Sequence, residues 1–158
     1  MFLLYQLIIT LIIFLSPIII IFRIFKCKED SLRFIEKFSI HTEKKKGNLI
    51  WFHGASVGEI LSIIPLVKYY ENKRGINQIL ITSSTLSSSK VLKQFKFKKT
   101  IHQFYPIDHT LFTNKFLNYW KPISAIFVDS EIWPCMYKNL KRKNIPLILL
   151  NARINKKT

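Results

Sequence analysis

The chain has 158 residues, 49% of them hydrophobic and 22% charged, with 25 Lys and Arg against 9 Asp and Glu for a formal charge of +16. That length suits one globular domain plus a short appendage and excludes a complete two-domain enzyme. Cys27 and Cys135 stand far apart without a CxxC, which excludes a cysteine zinc site or disulfide framework and suits a reducing compartment.

The charge calls for an anionic partner: nucleic acid, an acidic membrane face or a phosphorylated substrate. A general bias toward lysine and isoleucine explains it equally well. From Phe2 to Phe22 no residue is charged. At about 1.5 Å per residue this run reaches roughly the 30 Å of a bilayer's hydrocarbon core. Residues 1–22 are therefore predicted to be a transmembrane anchor. Basic residues follow the run at Arg23, Lys26 and Lys28 instead of preceding it, which favours an uncleaved anchor over a signal peptide and places the remainder in the cytoplasm. Residues 23–47 read as a basic juxtamembrane segment: a short amphipathic helix over 31–38 lying on the membrane, then a linker at Lys44-Lys45-Lys46-Gly47.

Beyond Gly47, runs rich in Ile, Leu, Val and Phe alternate with helical segments. Strands are predicted near 48–53, 77–82, 101–105, 123–128 and 146–150, with helices between them. This alternation predicts an α/β fold, a doubly wound parallel sheet over 48–158 with helices on both faces.

In such a sheet ligands bind outside the carboxyl ends of the strands. Small, polar and aromatic residues collect there: Gly54 to Glu59 after the first strand, Thr82 to Thr85 after the second, and Tyr105-Pro106-Ile107-Asp108-His109 after the third. Asp129-Ser130-Glu131-Ile132-Trp133-Pro134 follows the fourth strand and Asn151-Ala152-Arg153 the fifth. Gly54 and Gly58 are expected to permit a tight turn into a helix opened by Glu59. Two readings of Glu59 stand side by side. Ser56-Val57-Gly58-Glu59 matches the S-x-x-E capping box, and a lone carboxylate at a cleft rim also suits a general base. Asp129 and Ser130 are equally suited to capping the next helix. His53 and His109 read first as hydrogen-bonded structural residues. No P-loop, GxGxxG, GxSxG or HExxH occurs, so neither a nucleotide triphosphate site nor a metal site is expected. The cluster Lys90, Lys93, Lys96, Lys98 and Lys99 reads as a solvated face able to meet lipid headgroups, and nucleic-acid binding is not expected.

Four motifs in order carry a resemblance: Ile50-Trp51-Phe52-His53-Gly54-Ala55-Ser56-Val57-Gly58-Glu59, Tyr105-Pro106-Ile107-Asp108, Ser130-Glu131-Ile132-Trp133-Pro134 and Asn151-Ala152-Arg153. Together they resemble the 3-deoxy-D-manno-octulosonic acid (Kdo) transferases, the lipid A glycosyltransferases of Gram-negative bacteria. The resemblance implies an inner-membrane enzyme of GT-B architecture, with an amino-terminal Rossmann-like acceptor domain and a carboxyl-terminal domain for CMP-Kdo. It implies Glu59 as the catalytic base that deprotonates the 6-hydroxyl of a lipid A precursor's glucosamine for inverting attack on Kdo, and Glu131 as its partner. His53, Ser56, Gly58, Thr82, Ser83, Asp129 and Arg153 would line the substrate site, with no metal and no cofactor. Gly54 stands where the family commonly has alanine, and Asp129 where it commonly has glutamate. The length predicts the acceptor-binding half alone, truncated before the donor domain: either a fragment of a longer product or the partner of a separately encoded donor half. The alternative is a catalytically silent, membrane-anchored module that binds anionic lipid.

Overall fold

A computed structural model describes residues 2–128 and 132–151. The apolar runs form β1 (Leu49–His53), β2 (Gln78–Ser83), β3 (Thr100–Phe104), β4 (Ser124–Val128) and β5 (Leu147–Leu150). All pair in parallel, in the order β3-β2-β1-β4-β5. The predicted doubly wound α/β sheet is thus present, each strand within two residues of its expected bounds. Because the chain moves outward from β1 to β3 and then returns to the other side of β1 for β4, the sheet has its switch point between β1 and β4.

Between the strands lie α2 (Val57–Asn72), α3 (Leu86–Leu92), α4 (Thr110–Trp120) and α5 (Pro134–Arg142). Side chains of β1 alternate between two cores, as the strand period of two requires. Ile50 and Phe52 pack with Ile60, Ile63 and Val67 of α2, whereas Leu49 and Trp51 pack with Phe116 and Trp120 of α4 and Met136 of α5. All five residues of β1 are buried, the signature of a central parallel strand.

An edge strand presents unmatched backbone groups. Here β3 is covered by a 3-10 turn, Phe34–Phe38, which stands where an amphipathic helix over 31–38 was expected. The physical reason is Glu36. Its fully buried carboxylate accepts the edge amide of Phe104 (2.8 Å) and bonds Arg33 through Nε and Nη2 (2.8 and 3.0 Å). Arg33 Nη2 in turn donates to the edge carbonyl of His102 (2.6 Å). Two side chains thereby mimic a sixth strand, which a helix lying on a membrane would leave undone. The expected linker is also tied down: Gln78 accepts the Lys46 amide (2.7 Å) and donates to the Lys44 carbonyl (2.9 Å). Gly47 sits at φ +52°, and an added Cβ would fall 2.5 Å from Asn77 Oδ1, so only glycine fits that turn.

The apolar amino-terminal run forms α1 (Phe2–Phe25), long and apolar enough by length and composition to cross a membrane. One side of it touches the domain. Tyr5 Oη donates to Asp108 Oδ2 (2.8 Å), Gln6 Nε2 donates to Thr110 Oγ1, and Lys138 Nζ stands 4.3 Å from the Phe2 ring centroid.

Candidate functional site

The switch point places the end of β1 and the first turn of α2 at the middle of the sheet's carboxyl edge. There the expected capping box is formed. Ser56 is the N-cap, its Oγ accepting the Glu59 amide (3.3 Å) while donating to Glu59 Oε1 (2.7 Å). Glu59 Oε2 accepts the Ala55 amide (2.8 Å), so the carboxylate folds back over the turn and is held from two sides. Ser56 and Gly58 are exposed and Glu59 half-buried.

The glycines act differently from expectation. Neither Gly54 nor Gly58 has a positive φ, so the turn itself needs no glycine. At Gly54 a Cβ would come within 3.1 Å of Glu59 Cβ, a close approach that sets how deeply the carboxylate arm can lie. At Gly58 an added Cβ would meet only Ser56 Oγ, at 4.0 Å. Its bare backbone leaves the solvent side of the first helical turn open beside Glu59.

Beneath this turn lies an aromatic and hydroxyl layer. The His53 ring, 1% exposed, stands 4.0 Å from the Tyr105 ring, 4.9 Å from Phe127 and 6.2 Å from Trp133. Tyr105 and Trp133 bring two of the five edge clusters onto one imidazole, and Thr82 adds a third. His53 Nδ1 lies 2.9 Å from Thr82 Oγ1 and 3.2 Å from the Thr82 carbonyl. Thr82 Oγ1 also accepts Trp51 Nε1–H (2.9 Å). Ser83 Oγ is paired with His102 Nε2 (2.9 Å), on the β3 side. Thr82 and Ser83 are fully buried, so their hydroxyls brace the edge from below, while Ser56, Gly58 and Glu59 meet solvent. Asp129, Ser130, Glu131 and Arg153 lie outside the described residues.

Asp108 does work that its local sequence does not signal. Its carboxylate, 2% exposed, accepts the amides of Cys135 (2.9 Å) and Met136 (2.8 Å), capping α5 from another loop, and also accepts Tyr5 Oη. Pro134 opens α5 without needing a partner for its nitrogen. Burial pushes the Asp108 carboxyl above the usual carboxylate range, against the pull of those donors. His109 caps α4, its ring accepting the Leu111 amide (3.3 Å). Among the described residues no group of three or more His, Cys, Asp or Glu converges as metal ligands.

Away from this edge, His102 is walled in by Arg33, Ser83 and Phe104 although one side of it meets solvent. Burial, with Arg33 and Lys93 nearby, drives its pKa down to about 3. A groove of about 490 Å³ opens beside it. A second groove, about 530 Å³, is lined by the stacked Phe95 and Phe97 and by Lys68, Lys96, Lys98 and Lys99. Both lie away from the capped turn.

The sequence profile described as 3-Deoxy-D-manno-octulosonic-acid transferase (kdotransferase) matches residues 32–158. The chain belongs to the Kdo transferase family. It is 43% identical over 111 residues to a 3-deoxy-D-manno-octulosonic acid transferase of Rickettsia typhi, covering 70% of this chain and 24% of the relative. The Rickettsia bellii protein of the same name is 40% identical over 142 residues, 89% of this chain and 34% of the relative. A probable mitochondrial 3-deoxy-D-manno-octulosonic acid transferase of Arabidopsis thaliana is 36% identical over 135 residues, 80% of this chain and 30% of the relative. The chain thus spans about a quarter to a third of the length of these relatives. Within the family match fall both Glu59 with its cap and the Asp108 carboxylate, whereas the whole of α1 precedes it.

Proposed function

We propose that the chain supplies the acceptor side of a Kdo transferase in lipopolysaccharide synthesis, with Glu59 as general base. The 6-hydroxyl oxygen of a lipid A precursor's glucosamine attacks the anomeric carbon of Kdo. Glu59 takes the hydroxyl proton, the bond from Kdo to the CMP phosphate breaks, and CMP leaves with inversion at the sugar. The observation that carries this reading is a carboxylate at the switch-point rim, held in one orientation by Ala55 N–H and Ser56 Oγ–H. Each Glu59 oxygen accepts one of these two bonds and has a second lone pair, so capping and proton abstraction are compatible. The partial positive charge of the α2 amino terminus faces the same rim and favours anionic substrate groups there.

Glu131 and Asp129 would complete the rim opposite Glu59, and Arg153 would meet a phosphate or carboxylate of the substrates. His53, Thr82 and Ser83 act from beneath, holding the layer on which the substrate rests. Membrane attachment through α1, on the cytoplasmic side of a bacterial inner membrane, would bring the rim to an acyl-chain-bearing acceptor.

The test is transfer of labelled Kdo from CMP-Kdo to a lipid A precursor by the full chain mixed with the donor-side remainder of the Rickettsia typhi relative. Transfer that disappears with Glu59→Gln supports the reading. Absence of transfer with the unaltered chain and donor half overturns it. A second reading, a silent module for anionic lipid, draws on the lysine-lined groove. Vesicle binding that survives Lys-to-Ala changes at 68, 96, 98 and 99 and ignores salt would remove it.

A further inference from the structure

Apart from Tyr5 and Ile24 beside it, the residues of α1 that are not exposed fall in a strict pattern. Gln6, Ile9, Ile13, Ser16 and Ile20 follow one another in steps of three and four, and Phe2 and Arg23 extend the series at either end. A seven-residue repeat of this kind is the seam of a helix packed along a neighbour. Here the neighbour is the globular domain, reached through Tyr5–Asp108, Gln6–Thr110 and the Lys138–Phe2 contact near the amino terminus. At the other end Arg23 Nε bonds Glu29 (3.0 Å), a buried carboxylate also paired with Lys37 of the turn that covers β3.

The polar residues of the run are all accounted for. Tyr5 and Gln6 bond the domain, Ser16 Oγ donates to the Ile13 carbonyl (2.6 Å) and Thr10 Oγ1 to the Gln6 carbonyl (2.7 Å). The opposite face is apolar throughout and exposed, as at Leu4 (63%), Leu11 (61%) and Ile18 (70%). Eighteen residue steps, about 27 Å, separate Tyr5 from Arg23, nearly a hydrocarbon thickness, yet both ends are tied to the same domain. A helix crossing the bilayer would carry Tyr5 and Gln6 to the far side, away from Asp108 and Thr110.

We propose that α1 lies in the plane of one membrane leaflet, its seam on the globular domain and its opposite face in the lipid hydrocarbon, instead of crossing the bilayer. The Tyr5 bond gives this placement a consequence for the site. The carboxylate that receives it also caps α5, whose first turn follows the edge loop at Trp133. The membrane helix and the rim are therefore fixed to each other through Asp108, which sets the height of the rim above the lipid.

The proposal rests on the membrane attachment proposed above, and the test separates the two. Spin labels are placed one at a time on cysteines at Leu4, Leu11 and Ile18, seven residues apart on one helix face, in the full chain with Cys27→Ser. The protein is bound to phosphatidylethanolamine–phosphatidylglycerol vesicles, and depth is read as the ratio of oxygen to nickel-chelate accessibility. An in-plane helix gives the three labels the same ratio. A spanning helix puts Leu11 about 10 Å deeper than Leu4 and raises its ratio on the order of tenfold over both others, which would overturn the in-plane placement while keeping attachment. Failure to bind vesicles overturns both. Strong spin–spin broadening between chains would mean a second copy covers this face, and would also overturn it. Tyr5→Phe is expected to raise label mobility at Leu4 and leave Ile18 unchanged; equal mobility at Leu4 would remove the link to Asp108.

Discussion

Glu59 caps α2 and is proposed as the general base, two tasks that a single substitution cannot separate but a pair can. Ser56→Ala removes the hydroxyl that accepts the Glu59 amide and donates to its carboxylate, and is expected to cost about 1 kcal/mol of stability. Glu59→Gln keeps the arm's length and leaves an amide oxygen for the Ala55 N–H, so its stability loss is expected to be similar or smaller. Transfer activity in the reconstituted mixture should divide the two. Loss of a general base lowers rate about 10²- to 10⁴-fold, whereas Ser56→Ala, which only loosens the carboxylate, should lower it about tenfold or less. Urea melts and turnover on the same samples check this, and equal activity losses would argue that Glu59 is only a cap. The capping box was legible because its partners are three residues apart. What lies beneath it was not, since the His53 layer joins Thr82, Tyr105, Phe127 and Trp133 from three other strands and their loops.

At the level of elements, the molecule repeatedly uses a carboxylate from one segment to finish another. Asp108 completes α5, Glu36 completes the edge of β3, and Glu71 accepts the amides of Lys98 and Lys99 and Thr100 Oγ1 at the start of β3. Asp108→Ala strands two buried amides and the Tyr5 hydroxyl, and is expected to cost about 3 kcal/mol in urea unfolding. Asp108→Asn, which keeps an acceptor, should cost less. These pairings are what the sequence could not reveal. Strand bounds follow from local apolar runs, but nothing local tells that Glu36 of a basic stretch is buried 68 residues away from the amide it serves. That is why residues 31–38 read as a surface helix.

The same elements set the acid limb of stability. His102, with its pKa near 3, stays neutral in the fold while the unfolded chain binds a proton below about 6.5. Stability therefore falls as pH drops from about 6.5 toward 3, by at most about 1.4 kcal/mol per pH unit. His41, lowered chiefly by burial, acts in the same sense. Burial raises Glu71, but its bonds from Thr100 and the Lys98 and Lys99 amides outweigh this and hold it below the usual range, so its stabilisation is lost as pH falls through that lowered value. Asp108 opposes all three, because a raised carboxyl binds its proton more readily in the fold. His102→Gln is expected to flatten the stability profile between about pH 6.5 and 4.5, read from urea midpoints across that range. An unchanged slope would show that His102 is not its source.

For the whole molecule the question is whether charge or apolar surface would govern the proposed attachment to lipid. The chain carries +16, and each Lys or Arg near an anionic surface contributes about 1 kcal/mol at low salt, falling off within a Debye length that shrinks from about 10 Å at 0.1 M to about 3 Å at 1 M. Against this, α1 exposes thirteen large apolar side chains, from Leu3 to Phe25, each between 42% and 82% exposed. Burying such a side chain fully is worth about 1.5–3 kcal/mol, so even half of that over this face exceeds anything the four lysines around the Phe95–Phe97 groove can supply. Salt should therefore tune attachment without ending it. In co-flotation with phosphatidylglycerol-containing vesicles, replacing Lys68, Lys96, Lys98 and Lys99 by alanine is expected to weaken binding several-fold at 0.1 M salt and to have no effect at 1 M. The unaltered chain should stay bound at 1 M salt and on neutral phosphatidylcholine, because the apolar contribution does not depend on ionic strength in that way. Release by 1 M salt would mean that charge dominates and that the exposed face of α1 is covered by something other than lipid.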